Sequence, residues 1–241
     1  NIVNLLTDQI EFANVVVLNK TDLVSKDTVK ELKAIIRKLN GDAKIIDSTF
    51  GAINLNEILN TNLFDFEKAS SSAGWIKELE NEHKPETEEY GISSFVFRDK
   101  RPFHPVRFWK YVNDSFPSTI IRSKGLFWIA SRQDQAINWS QAGGSLRADP
   151  AGVWWCSMPF NERITFNSFI DNQKSIEDKW DKQYGDRTNE LVLIGQDMDK
   201  KQIIKDLQNC LCTKEELEQW KAGFSFEDNW PVWETAKTET V

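Results

Sequence analysis

Residues 14–22, Asn14-Val15-Val16-Val17-Leu18-Asn19-Lys20-Thr21-Asp22, decide how the first part of this chain is read. Three β-branched valines and a leucine in unbroken succession form a short apolar run without alternation, the pattern of a parallel strand buried on both faces. Before it, Asn1 to Ala13 places Ile2, Leu5, Leu6 and Ile10 at helical spacing. After it, Ser25 to Leu39 predicts a helix with Val29, Leu32, Ile35, Ile36 and Leu39 on its apolar face and Asn40-Gly41 as its C-terminal stop. Lys44 to Ile46 predicts a second strand, and Leu55 to Leu59 the start of another helix behind the cap Asn54. Strand, helix, strand and helix in this order specify an α/β unit, a parallel sheet covered by helices.

The remainder differs in composition. All ten tryptophans lie from Trp75 onward, and no proline precedes residue 69. Residues 69–90 are polar and acidic, with Ser70-Ser71-Ser72 and a glutamate-rich run, and read as a linker in which Trp75, Ile76 and Leu79 could dock as a short helix. Beyond it, Ile92–Phe97, Gly125–Ala130, Ala151–Trp155 and Glu190–Ile194 read as four strands, with helices at Val106–Asn113 and Met198–Leu211. Long, varied connections between strands predict an α+β domain with a mainly antiparallel sheet. The expected organisation is therefore 1–68 α/β, 69–90 linker, 91–228 α+β and 229–241 a frayed tail.

Composition narrows the partners. The 241 residues are 28% charged and 40% hydrophobic with a net charge of −7, an ordinary globular balance that argues against a nucleic-acid surface. No apolar run approaches the length of a membrane span, so no membrane partner is expected. Three cysteines, Cys156, Cys210 and Cys212, make no disulfide framework and suit a cytoplasmic location. The chain opens at Asn1 in mid-helix without a methionine, which leads to the expectation that a segment precedes it.

The chemistry is concentrated at Asn19-Lys20-Thr21-Asp22, placed at the carboxyl end of the valine strand, where open parallel sheets bind ligands. A carboxylate such as Asp22 can accept two hydrogen bonds from the ring N–H and the exocyclic amino group of guanine. Adenine offers no such donor pair and would leave the carboxylate unpaired. An Asn19 amide can bond the opposite edge of the base or brace the loop, and the Lys20 stem can lie across the ring. The other reading is a polar turn in which Asp22 or Ser25 caps the next helix. The loop after the second strand, Asp47-Ser48-Thr49, offers a second base contact at Ser48 and Thr49, where small side chains let backbone N–H groups approach, or is an ordinary polar turn ending at Gly51. No G-x-x-x-x-G-K-[ST] occurs in these residues, so nothing here cradles the β- and γ-phosphates. A guanine half-site without catalytic residues is expected, and hydrolysis of GTP by this chain alone is not.

Several further stretches, in order, carry a family resemblance: Asp8-Gln9-Ile10-Glu11-Phe12-Ala13 before the strand, Arg101-Pro102-Phe103-His104-Pro105 with Arg107, and Arg122-Ser123-Lys124-Gly125 before Phe127-Trp128. They continue through Trp139-Ser140-Gln141-Ala142-Gly143-Gly144, Gly185-Asp186-Arg187 and Ile194-Gly195-Gln196. With Val15–Asp22, they make the chain resemble the CobW family of metal-handling P-loop GTPases over nearly its whole length, in particular the longer members associated with zinc homeostasis. The resemblance implies a partial GTPase sheet followed by a CobW C-terminal domain. For an intact parent it implies GTP and GDP binding, Mg²⁺, and GTP-dependent delivery of a metal, foremost zinc, to a client protein. The alternative is a non-catalytic module that binds a client or regulates the GTPase. A second copy of the chain stays open as a partner. The family's Cys-x-Cys-Cys metal motif does not occur in these residues, and no metal ligand is assigned here.

Other residues carry two readings each. Cys210 and Cys212 are thiolate candidates for zinc, but residues two apart on a helix diverge and free cysteines are commonly buried. His104, between two prolines, could bind metal, sense the nucleotide domain or cap a helix; His83 could hold metal or sit solvated in the acidic linker. Arg101, Arg107, Arg122, Lys124 and Arg187 could form a basic face toward the nucleotide domain or an acidic client, or scatter into surface salt bridges. Trp109, Trp128, Trp139, Trp154 and Trp155 read as core rather than as a ligand platform, with an exposed subset available for protein docking.

Overall fold

A computed structural model of the chain describes residues 2–65 and 91–231. The linker expected at 69–90, with Trp75 and His83, and most of the expected tail lie outside the described residues.

The first segment follows the predicted order. Helix α1 (Ile2–Phe12) leads into strand β1 (Val15–Leu18), a short turn at Thr21–Leu23, helix α2 (Lys26–Leu39) and strand β2 (Lys44–Asp47). β1 and β2 pair in parallel, with Val16 opposite Ile45 and Leu18 opposite Asp47. Ser25 is the N-cap of α2, its hydroxyl accepting from the Thr28 N–H at 3.0 Å. Asn40-Gly41 stops α2 where expected, with Asn40 as the C-cap, and one expectation, the helix behind Asn54, is corrected. Asn40, 2% exposed, is extended, and its amide donates to the Ile10 and Ala13 carbonyls at 2.9 and 2.8 Å, tying the end of α2 to the end of α1. Leu55–Leu59 forms only a 3₁₀ turn at Leu55–Glu57 behind Asn54. Leu55 and Leu59 are exposed, so no buried stripe sustains a longer helix.

The second sheet has five strands, β3 (Ile92–Asp99), β4 (Ile120–Phe127), β5 (Gln135–Ala142), β6 (Ser145–Val153) and β7 (Asn189–Gln196), in the order β3-β7-β4-β5-β6 with every pairing antiparallel. β4 begins five residues before the expected start and β6 six. β5 is not legible as a strand in the sequence, because its polar Gln135, Asn138, Ser140 and Gln141 break the apolar pattern; the Gly143-Gly144 turn into β6 is the available signal. Helix α3 (Pro105–Asp114) follows β3. Three short helical turns, α4 (Phe160–Arg163), α5 (Asn167–Ile170) and α6 (Gln173–Asp178), precede β7, and α7 (Lys200–Cys210) and α8 (Lys214–Lys221) follow it. α8 opens on a complete capping box, Thr213 with Glu216.

Alternation along the strands sorts two cores onto opposite faces of this sheet. Phe95 and Phe97 of β3 and Leu191 and Leu193 of β7 join Phe103, Phe108, Tyr111, Ile203 and Leu207 in the larger core. Phe103 and Phe108 stack at 3.8 Å between ring centres, and Trp230 inserts with its indole N–H donating to the Pro105 carbonyl at 3.0 Å. On the other face, Val96, Val192 and Ile194 pack against Ile10, Ile35 and Leu39 of α1 and α2. The two helices of the first segment therefore cover the antiparallel sheet as a layer. That explains why β7 is buried on both sides. A third cluster gathers Trp128, Trp154, Tyr184, Cys212 and Leu217.

Candidate functional site

The parallel pairing of β1 with β2 brings their carboxyl ends together, and with them the two loops singled out in the sequence. The Ser48 N–H donates to the Leu18 carbonyl at 2.8 Å, extending the ladder by one step beyond both strands. Ser48 is 4% exposed, and its hydroxyl donates to the Ala52 carbonyl at 3.1 Å. Thr21 donates to the Ser48 carbonyl from its N–H at 3.3 Å and from its hydroxyl at 3.1 Å, and its Oγ1 lies 3.5 Å from that of Thr49. The Gly51 N–H donates to Asn19 Oδ1 at 3.1 Å. Asn19 thus braces the second loop, one of its two expected roles.

Lys20 adopts the left-handed conformation, φ 62° and ψ 31°, which turns the chain sharply between Asn19 and Asp22. Asp22 is exposed at the start of the short turn, and its carboxylate has no partner among the described residues. Ser25, not Asp22, caps α2, so the competing reading of Asp22 as a helix cap does not apply. What converges is one exposed carboxylate, one lysine stem and a braced backbone loop, at the carboxyl end of a parallel strand pair. A planar base with adjacent N–H donors suits that set. Ser48 is brought to the site by its backbone, since its hydroxyl is turned inward. Thr21, a free position in the sequence reading, proves to be the residue that clamps the two loops. Phe50 and Gly51, beyond Thr49, also belong to the second loop.

The other candidates are absorbed by the fold. His104 is the N-cap of α3, its Nδ1 accepting from the Arg107 N–H at 3.4 Å, and burial lowers its pKa. Burial pushes the Cys210 thiol up to about 11 and Cys212 up to about 12, states in which neither offers a thiolate. No group of three metal-capable side chains occurs among the described residues. Arg107 grips Glu216 with two bonds of 2.6 Å, Arg101 pairs with Asp99, and Arg187 donates to the Gln133 carbonyl. Arg122 and Lys124 meet Asp8 and Glu11 of α1, so the basic pair does face the first segment, through a tie that is buried at Arg122 and Glu11 and open to solvent at Asp8. Asp186 accepts from the Trp155 and Cys156 N–H groups, a loop-bracing role for Gly185-Asp186-Arg187. No helix among the described residues is long and apolar enough to cross a membrane.

Two family models match the chain. Residues 92–211 match the cobalamin synthesis protein CobW C-terminal domain, and residues 1–47 the CobW/HypB/UreG nucleotide-binding domain. The chain is 40% identical over 236 residues to a zinc-regulated GTPase metalloprotein activator of Dictyostelium discoideum, covering 97% of this chain and 48% of that protein. It is 25% identical over 227 residues to a zinc chaperone of Mycobacterium tuberculosis, covering 93% of this chain and 53% of that protein. The chain thus spans about half the length of the curated relatives it matches. The Zn(II)-bound YjiA GTPase of E. coli aligns at a TM-score of 0.36 with 18% identity, covering 86% of this chain and 54% of that one.

Proposed function

Since this chain belongs to the CobW family, with residues 1–47 matching its nucleotide-binding domain and residues 92–211 its C-terminal domain, we propose that it is the base-selecting and C-terminal part of a GTP-binding metallochaperone. In the intact protein, GTP hydrolysis gates delivery of a metal, zinc in this reading, to a client protein. Residues 1–68 belong to the nucleotide domain and 91–228 to the C-terminal domain. The cofactor of this chain is the guanine end of GTP or GDP, held by Asn19, Lys20 and Asp22 with the backbone of Ser48 and Thr49. No residue of this sequence is assigned to phosphate binding, Mg²⁺ or a catalytic step.

The observation that carries the reading is the bond from the Gly51 N–H to Asn19 Oδ1 at 3.1 Å, which fixes the two loops around the exposed Asp22 carboxylate. The names of the relatives, a zinc-regulated GTPase metalloprotein activator and a zinc chaperone, suggest the metal and the nucleotide. The test is competition of GTP and ATP for the intact protein and its Asp22→Ala variant. A GTP preference that disappears in the variant supports the reading. Equal affinity for the two nucleotides in the unaltered protein overturns it.

A second reading, a client-binding or regulatory module that works without nucleotide, is favoured by the core that the C-terminal domain builds for itself around Phe103, Phe108 and Leu207. It predicts nucleotide-independent capture of the client by the intact protein. Capture that depends strictly on GTP excludes it.

A further inference from the structure

Phe50 sits in the second loop, between Thr49, which lies beside Thr21, and Gly51, which is bonded to Asn19. Two features disfavour a phenylalanine at that position in the free protein. Its backbone is left-handed, with φ 54°, a conformation in which Cβ crowds the following carbonyl and which glycine or asparagine adopts more readily. The residue is 93% exposed, the most exposed of the large apolar residues among those described, so the ring gains little from burial. An unfavourable backbone and an unburied aromatic side chain coincide on a loop whose neighbours on both sides are tied to the base-reading segment. Strained residues held by well-determined surroundings concentrate where a ligand is held.

We propose that Phe50 is a base-binding residue of the nucleotide site, its ring packing on the face of the bound base while Asp22 reads the base's edge. This rests on the guanine reading of Asn19, Lys20 and Asp22 and deepens it. A heteroaromatic base presents two faces and an edge. The exposed carboxylate of Asp22 can serve only the edge, so a ring on the adjoining loop supplies the apolar contact that a hydrogen-bonding edge lacks. Lys20, left-handed as Phe50 is, lies on the opposite loop, with its stem available for the second face. Stacking acts on the π-face that every base possesses, so it raises affinity without choosing among bases. Phe50 thus contributes affinity and Asp22 contributes choice.

The division of labour is measurable. GDP and IDP, which differ only in the exocyclic 2-amino group, are titrated against the intact protein and three variants by calorimetry. Phe50→Gly suits the left-handed backbone and keeps the loop folded, as a thermal melt no lower than that of the unaltered protein verifies. It is expected to weaken GDP and IDP by the same factor, about tenfold. Phe50→Tyr, which keeps the ring, is expected to bind both within about twofold of the unaltered protein. Asp22→Ala is expected to weaken GDP more than IDP. Unchanged GDP affinity in Phe50→Gly overturns the proposal, as does a loss confined to GDP. If Asp22→Ala leaves the GDP-to-IDP ratio intact, the guanine reading itself fails. If that ratio collapses while Phe50→Gly binds normally, only the role of Phe50 fails.

Discussion

The Arg122 guanidinium of β4 donates to the Glu11 carboxylate of α1 at 2.7 Å, across 111 residues of sequence, with side-chain exposures of 0% and 1%. The same guanidinium reaches Asp8 at 2.7 Å and the Gln141 carbonyl at 3.3 Å, and Lys124 donates to Glu11 at 2.9 Å. Arg122 and Lys124 stand opposite Ile194 and Val192 of β7, on the sheet face that α1 and α2 cover. Charges withdrawn from water this completely are held by their mutual hydrogen bonds, and removing one partner strands the other. Arg122→Met is therefore expected to destabilise the protein by about 3–5 kcal/mol in chemical denaturation. The double variant Glu11→Leu/Arg122→Met is expected to recover much of that loss. A double variant as unstable as the sum of the two singles would show that the pair is not coupled.

Selectivity at the base site should be convertible. An amide at position 22 can accept from a ring N–H while donating to a carbonyl, the pattern that xanthine offers where guanine has its amino group. Asp22→Asn is expected to lower GDP affinity about a hundredfold and to raise that for XDP, as competition binding on the intact protein would reveal. Retained GDP preference would exclude Asp22 as the edge reader.

Acid should weaken the junction of α3 and α8 in two stages. The Arg107 guanidinium holds the Glu216 carboxyl down to about 2, so its ionised form is preferred in the folded state. That contribution is complete above the ordinary carboxylate range, about 4.3, and is lost as pH falls toward 2. Burial lowers the pKa of His104, whose Nδ1 must stay unprotonated to accept from Arg107. Its share is complete above about 6.5 and declines as pH falls below that. Thermal midpoints across this range should show both stages in the unaltered protein. In Glu216→Gln the lower stage should be missing and the upper one retained.

Gly125 is required by strand pairing rather than by a turn. Its φ is 153°, and a Cβ there would collide with the Glu190 carbonyl oxygen of β7. Gly125→Ala is expected to cost about 3 kcal/mol through forced separation of β4 and β7. Gly144→Ala, with nothing within 4 Å of the added carbon, is expected to stay within about 0.5 kcal/mol. Equal denaturation midpoints for the two variants would contradict this account.

Local signals made much of the fold and the site legible. The unbroken valine run specified β1, and helical spacing specified α1, α2, α3 and α7. The Asn-Lys-Thr-Asp segment marked the loop after β1 as a candidate base reader from residue types alone, because the donor and acceptor chemistry of guanine restricts what can face it. Where local apolar pattern and structure part, the sequence misled: β5 hides behind polar residues, and Leu55–Leu59 repeats helical spacing without a surface to bury it.

Tertiary structure alone decided the rest. Nothing near Glu11 in sequence announces Arg122, since a contact across 111 residues leaves no periodicity to read. Nor does spacing reveal that α1 and α2, the helices of the first segment, serve as a layer of the second sheet, because an apolar stripe states that it must be buried and not against what. The same holds at the site. Residue types named Asn19, Lys20 and Asp22, while the pairing of β1 with β2 brought Thr21, Gly51 and the exposed Phe50 beside them.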